Sequence, residues 1–217
     1  MRPLNGGLSL ALVTVALGAV AQTPITYVRH AETIANATGK YSNATLNTLT
    51  EKGNQQVELL AKTLPRRFAG IYVSPAGRCL RTIAPYLKAT GQKATIWPEL
   101  LECCHQRGAE RNKPAGPLQY GPKITVPQEL KPYFIIEKGH EREIASPTYK
   151  AGLRQIDMAA ARIRKLPANE SFLLVSHSIA GARLFEALTG QPNRTKIDNA
   201  RPITIERTGG AYSIKRP

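Results

Sequence analysis

The sequence predicts an α/β fold: a mostly parallel sheet covered by helices on both faces, within a single domain. Three observations carry this. Short, mostly apolar runs alternate with stretches whose apolar residues recur at helical spacing, the runs show no wet face, and two of them are followed directly by histidine-bearing segments, at His30 and His177. Strands buried on both faces read as continuous apolar runs, and alternation with helices makes their sheet parallel.

The first run is 25–28. Thr50 is suited to cap a helix in which Val57, Leu60, Ala61 and Leu64 share one face until Pro65 stops it. A second run, 70–73, precedes a helix over 77–90 that Gly91 closes. After the third run, 94–96, Leu153, Ile156, Ala160 and Ile163 mark a helix over 149–165, ended by Leu166-Pro167. The run 172–175 leads into a helix over 179–188 before Gly190, and 203–207 with 211–215 form a hairpin around Gly209-Gly210. In such sheets ligands bind beyond the carboxyl ends of the strands, where both histidines fall.

Residues 1–21 stand apart. Arg2, an apolar run over 8–20 and the small-residue triplet Ala19-Val20-Ala21 predict a signal peptide cleaved after Ala21, and hence a periplasmic or secreted protein. The apolar run is too short for a membrane span. The remaining 22–217 has the size of one domain. With 30 Lys and Arg against 15 Asp and Glu, the net charge is +15, a field that concentrates anions. The basic residues are dispersed and aromatics make up only 6%, without the interleaving a base-stacking surface needs, so nucleic acid is not an expected partner. Small phosphorylated molecules and an anionic envelope surface fit the charge better.

Three further segments give the two histidines a context. Arg29-His30-Ala31-Glu32 follows the first strand, Ser74-Pro75-Ala76-Gly77-Arg78-Cys79-Leu80-Arg81-Thr82 follows the second, and Val175-Ser176-His177-Ser178 ends the strand over 172–175. With these motifs the chain resembles the histidine phosphatases of the phosphoglycerate mutase-like branch, over nearly all of 22–217. Leu49-Thr50-Glu51-Lys52-Gly53 with Gln56 resembles that family's LTxxGxxQ helix start, and Asn36 falls on the asparagine of its RHGExxxN pattern. Ala31 and Ser178 stand where the family commonly has glycine, so a positive φ at either would strain the backbone.

The resemblance implies a phosphohistidine mechanism. Neutral His30 is the expected nucleophile, with its tautomer fixed by a backbone carbonyl. Arg29, Arg78 and His177, whose cation a bound phosphate favours, surround the phosphoryl oxygens, Asn36 and Ser178 complete the predicted phosphate contacts, and Lys40 either meets a second anionic group or is solvated. Leu100-Leu101-Glu102 resembles the family's LxE pattern, making Glu102 the expected general acid and base, whereas Glu99, beside Pro98, is expected to be exposed. No metal or cofactor is expected, since the arginines and histidines supply the positive charge. Cys103-Cys104-His105 lacks the paired spacing of a zinc site.

The segment 103–148, rich in Pro, Gly and charge, occupies the place of the family's variable cap and is assigned to substrate recognition. Cys79 and Cys103 are expected at one rim of the pocket, which in an oxidising compartment suggests a disulfide from Cys79 to Cys103 or Cys104 and leaves one thiol free. The expected function is an exported phosphomonoesterase. A catalytically silent phosphate- or sugar-phosphate-binding protein and a phosphomutase are the alternatives.

Overall fold

The computed structural model describes residues 23–193 and 196–215; the expected signal peptide and its cleavage site lie outside the described residues. The strands are β1 (Ile25–Arg29), β2 (Gly70–Val73), β3 (Ala94–Ile96), β4 (Gln119–Lys123), β5 (Phe134–Ile136), β6 (Arg142–Ala145), β7 (Phe172–Ser176), β8 (Pro202–Thr208) and β9 (Ala211–Lys215). The α-helices are α1 (Ile34–Thr38), α2 (Asn43–Asn47), α3 (Glu51–Thr63), α4 (Gly77–Thr90), α5 (Tyr149–Arg164) and α6 (Ser178–Thr189). Each expected strand and helix is present to within about two residues at either end.

The main sheet has the order β5-β3-β2-β7-β1-β8-β9. The first five strands in that order run parallel, while β8 pairs antiparallel with β1 and β9 with β8. Because β7 lies between β1 and β2, every one of its residues is buried. Alternation along the strands divides the core in two. Val28, Val73, Leu173 and Val175 point to the face covered by α3 and α4, and Tyr27, Phe172 and Leu174 point to the face covered by α5 and α6. Fully burying one such aliphatic or aromatic side chain contributes about 1.5–3 kcal/mol, so the sheet's register is held by both faces at once.

The two cores overturn the expected disulfide. Cys79 lies on α4 in one core, and Cys103 and Cys104 lie in the other, across the sheet. All three are free thiols. The Cys79 thiol meets the Ser176 carbonyl, whereas those of Cys103 and Cys104 meet the Gly152 and Tyr149 carbonyls of α5.

The 103–148 segment contains more than loop. β4 and β6 form a separate antiparallel pair, two 3-10 turns span Gly108–Asn112 and Gln128–Tyr133, and β5 joins the edge of the main sheet beside β3. Only Phe134 of β5 is buried, too little for an apolar run to show. The five-residue helices α1 and α2 were likewise invisible to periodicity; each is held by a capping box, Thr33 with Asn36 and Ser42 with Thr45.

Candidate active site

The parallel register brings the carboxyl ends of β1, β2 and β7 side by side. The amides of His30 and Ser74 donate to the Ser176 and Val175 carbonyls, both at 2.9 Å, so the residues leaving all three strands share one floor. The loop after β1 is then clasped to α3. Thr50 Oγ1 and Lys52 Nζ donate to the Glu32 carboxylate, each at 2.9 Å, and Gln56 Oε1 accepts from the Glu32 amide. Gly53 is needed for this approach: a Cβ there would lie 2.1 Å from the Glu32 carbonyl oxygen. Thr82 joins the loop to α4, accepting from the Ala31 amide at 2.9 Å and donating to the Arg78 carbonyl at 2.7 Å. Neither Ala31 nor Ser178 has a positive φ, so the replaced glycines leave no strain.

His30 is buried. Its Nδ1 lies 2.8 Å from the Ala31 carbonyl, which fixes the proton there and leaves Nε2 with its lone pair. Burial first, and then the charges of Arg78 and Arg29, hold its pKa down to about 3 despite the bond to Ala31. The His177 ring packs edge-on at 5.4 Å between centroids.

The state of His177 is set by its neighbours. Arg78 Nη2 donates to its Nδ1 at 3.0 Å, so the ring proton sits on Nε2 and points to Ser74 Oγ at 2.8 Å. The ring is therefore neutral rather than protonated, and burial, followed by the Arg78 charge, keeps its pKa well below the ordinary histidine value. The Tyr27 hydroxyl donates to the His177 carbonyl, fixing the start of α6; Gly181 makes room, since a Cβ there would meet that hydroxyl at 2.2 Å.

Two guanidiniums flank the histidines. Arg29 Nη1 donates to the Ile197 carbonyl at 2.8 Å, but its Nε is buried without a hydrogen-bond partner. The Arg78 backbone is held by Asn47 Oδ1 at 3.1 Å. Glu102 reaches the same place from beyond β3: its Oε1 accepts from the Ala180 amide in the first turn of α6 at 2.7 Å. Desolvation raises the Glu102 pKa, and the Ala180 amide, Arg78, the Ile179 amide and Arg29 oppose it.

Glu99 does not belong to this group, and it is not exposed. It is 1% accessible and pairs with Arg162 at 3.3 Å and with the His140 ring at 3.5 Å, on the far side of the loop. Arg162 also bonds Glu137 and stacks 4.0 Å above Trp97. A buried carboxylate with these partners is a structural tie.

Asn36 is exposed, and its oxygen is taken by the Thr33 amide and by Asn199 Nδ2, which leaves only its own Nδ2 to meet a ligand. Ser178 begins α6 and faces a pocket with Arg183 and Lys196, and Lys40 is exposed. Asn199, which also donates to the His30 carbonyl at 2.8 Å, carried no sequence signal, being 169 residues away in a segment without periodicity. Cys79 sits 3.7 Å from His177 Nε2 with its thiol pushed up to about 12, chiefly by burial. Among the described residues, no three His, Cys, Asp or Glu side chains cluster as metal ligands.

Fold and site together define a class of α/β proteins that set two histidines and two arginines at the carboxyl edge of a parallel sheet. The chain belongs to the histidine phosphatase superfamily, branch 1, whose sequence model matches residues 25–217. A phosphoserine phosphatase of Hydrogenobacter thermophilus is 26% identical over 165 residues, which is 75% of this chain and 74% of that protein. Among solved structures, the alpha-ribazole phosphatase of Shigella flexneri is 20% identical with a TM-score of 0.63, over 89% of this chain and 95% of that one. A mutant phosphoserine phosphatase of Entamoeba histolytica, in complex with phosphoserine, is 18% identical with a TM-score of 0.58, over 88% of this chain and 94% of that one. At these identities the structural likeness is one of fold.

Proposed function

We propose that this chain is an exported phosphomonoesterase that hydrolyses small phosphate esters through a phosphohistidine on His30, without a metal. The observation that carries the reading is the state of His30: a neutral ring, its proton committed to Ala31, its free nitrogen beside two guanidiniums. Nε2 attacks phosphorus as the ester oxygen departs with a proton from Glu102. Water then attacks the phosphohistidine while Glu102 takes its proton, and phosphate leaves. Arg29 and Arg78 hold the equatorial oxygens through both steps, with Arg29 Nε an unsatisfied donor ready for one of them. A bound dianion beside His177 favours its cation, so protonation of that ring belongs to the liganded state. The raised pKa of Glu102 suits a group that must first donate a proton. Phosphoserine in the Entamoeba complex is a small phosphorylated molecule, and the same class of substrate is proposed here. Export rests on residues 1–21 and predicts a mature amino terminus at Gln22.

The test is hydrolysis of an activated aryl phosphate in the presence of chelator, with the amino terminus of the exported protein sequenced. Turnover is expected to persist, and His30→Ala to lower it by roughly 10³-fold or more while the protein stays folded. Loss of activity on chelation, or an active His30→Ala variant, overturns the mechanism. Phosphate binding without turnover turns the reading to a silent binding protein.

A further inference from the structure

Glu102 is followed in the chain by Cys103 and Cys104, and the reaction above uses neither thiol. Their sulfurs lie 3.2 Å apart. Cys79, the third cysteine, is in the other core, so each of the pair has the other as its thiol neighbour. Consecutive residues in extended backbone send their side chains to opposite sides. Here Cys104 takes a left-handed conformation, φ 63°, which turns the two thiols toward each other. That conformation disfavours any residue with a Cβ, and among the described residues the non-glycines that adopt it are Cys104 and Ala200.

The helix beside the pair is shaped to it. Gly152 of α5 faces the sulfurs: a Cβ there would lie 2.6 Å from Cys104 Sγ and 3.3 Å from Cys103 Cβ. Glycine inside a helix is unfavourable relative to alanine, so its place opposite two thiols answers a need for close approach. The Gly152 and Tyr149 carbonyls accept from Cys103 and Cys104, at 3.6 and 3.9 Å. The two sulfurs are not equivalent. Cys104 lines a cleft of about 180 Å³, together with His105, Gln106 and Ile179, and a reagent reaches it there. Cys103 is 1% accessible, and the neighbouring Cys104 thiol, followed by burial, pushes its own thiol far above the ordinary value.

We propose that Cys103-Cys104 is a redox modification site, a vicinal dithiol that a disulfide oxidant closes to a vicinal disulfide, shifting Glu102. The Cys104 thiolate attacks one sulfur of the oxidant; a mixed disulfide forms as the oxidant's S–S bond breaks, and the departing thiolate takes up the proton that Cys104 gave up. Conversion of the Cys104 thiol removes the chief cause that held the Cys103 proton. Cys103 then releases that proton and attacks the Cys104 sulfur, and the second oxidant thiolate leaves and takes it up. The protein loses two electrons and two protons, and the oxidant gains both. For the ring to close, the sulfurs move from 3.2 Å to about 2.0 Å. Adjacent Cα atoms stay about 3.8 Å apart, below the usual span of a disulfide, so the closure falls on the backbone of 103–104. That backbone adjoins Glu102 and its bonds to the first turn of α6. The effect on turnover rests on the phosphomonoesterase reading, whereas the dithiol stands apart from it.

The test treats reduced protein with oxidised glutathione, then denatures and alkylates it for mass spectrometry of the cysteine peptides. The peptide carrying both cysteines is expected unalkylated and lighter than its reduced form by two hydrogens, with Cys79 alkylated, and dithiothreitol should reverse the change. Cys103→Ser should halt the reaction at a glutathione adduct on Cys104, and Cys104→Ser should leave Cys103 unmodified. Alkylation of all three thiols in the treated wild-type protein, or a glutathione adduct that persists there, overturns the site. Phosphatase rates are read separately. Oxidation should lower kcat for phenyl phosphate about ten-fold and for para-nitrophenyl phosphate by less, because the better leaving group depends less on the acid. Equal rates before and after oxidation overturn the coupling to Glu102. Reduced protein inactive on both esters counts against the phosphomonoesterase reading, and the peptide masses still decide the dithiol.

Discussion

At the carboxyl edge of the sheet, His30, Ser74 and His177 are buried and follow strands whose register is shared with β7. In the 103–148 insertion most side chains are exposed, and the anchors are Cys103, Cys104, Ile124, Phe134 and Ile144. The first region takes its geometry from backbone hydrogen bonds between adjacent strands, which tolerate little displacement. The second is held by a few apolar contacts and by long side chains reaching from α5, such as Arg154, which donates to the Gly116 carbonyl at 2.9 Å. The difference separates two tasks. In the proposed function, chemistry falls where the fold is over-determined, and selection among substrates where side chains can change without moving it.

The sharpest way to break this comparison uses two glutamates three residues apart. Glu102→Gln should lower kcat by roughly 10²–10⁴-fold for esters with poor leaving groups and far less for an activated aryl phosphate. Glu99→Gln should lower the melting temperature, since it removes the buried partner of Arg162 and His140, with no dependence on the leaving group. Steady-state rates across a leaving-group series decide between them. A selective effect from Glu99→Gln would move the acid out of the strand-end centre.

A single substitution placed in each region gives a smaller effect. Gly53→Ala drives a Cβ against the Glu32 carbonyl and should cost about 2–3 kcal/mol in denaturant unfolding. Gly121→Ala in β4 meets Glu143 at an ordinary 3.4 Å and should stay within about 0.5 kcal/mol. Comparable costs would show the insertion to be packed as tightly as the centre.

The smallest effect is on pH dependence. His30 and His177 are held neutral when folded, His30 down to about 3, whereas an unfolded histidine takes its proton near 6.5. Below pH ~6.5 the unfolded chain binds more protons, so stability falls on acidification by up to about 1.4 kcal/mol per pH unit for each histidine. Glu102, with its raised pKa, works in the opposite direction. Melting at pH 7 and pH 5 should therefore show a loss at the lower pH, reduced in His30→Ala. An unchanged slope in that variant would place the acid sensitivity elsewhere.

The same division decided what could be read from sequence. Strands buried on both faces, the Gly91 helix stop and the histidines beyond their strand ends all leave local signals, and the structure brings Arg29, His30, Arg78, Glu102 and His177 together. What escaped notice depends on partners far along the chain. Glu99 looked exposed because its cation, Arg162, is 63 residues away. The tautomer of His177 follows from a hydrogen bond donated by Arg78, across 99 residues. Asn199 and the three-residue strand β5 are placed by contacts, with no pattern of their own.

A free carboxylate has two equivalent oxygens, and Glu102 does not. Its carboxylate is tied to two successive amides in the first turn of α6, those of Ile179 and Ala180, the latter to Oε1 at 2.7 Å, so its orientation is inherited from that helix. Helix and acid are thereby one part. In the proposed reaction this makes proton delivery one-sided, because the direction from which the acid meets the leaving oxygen is set by α6.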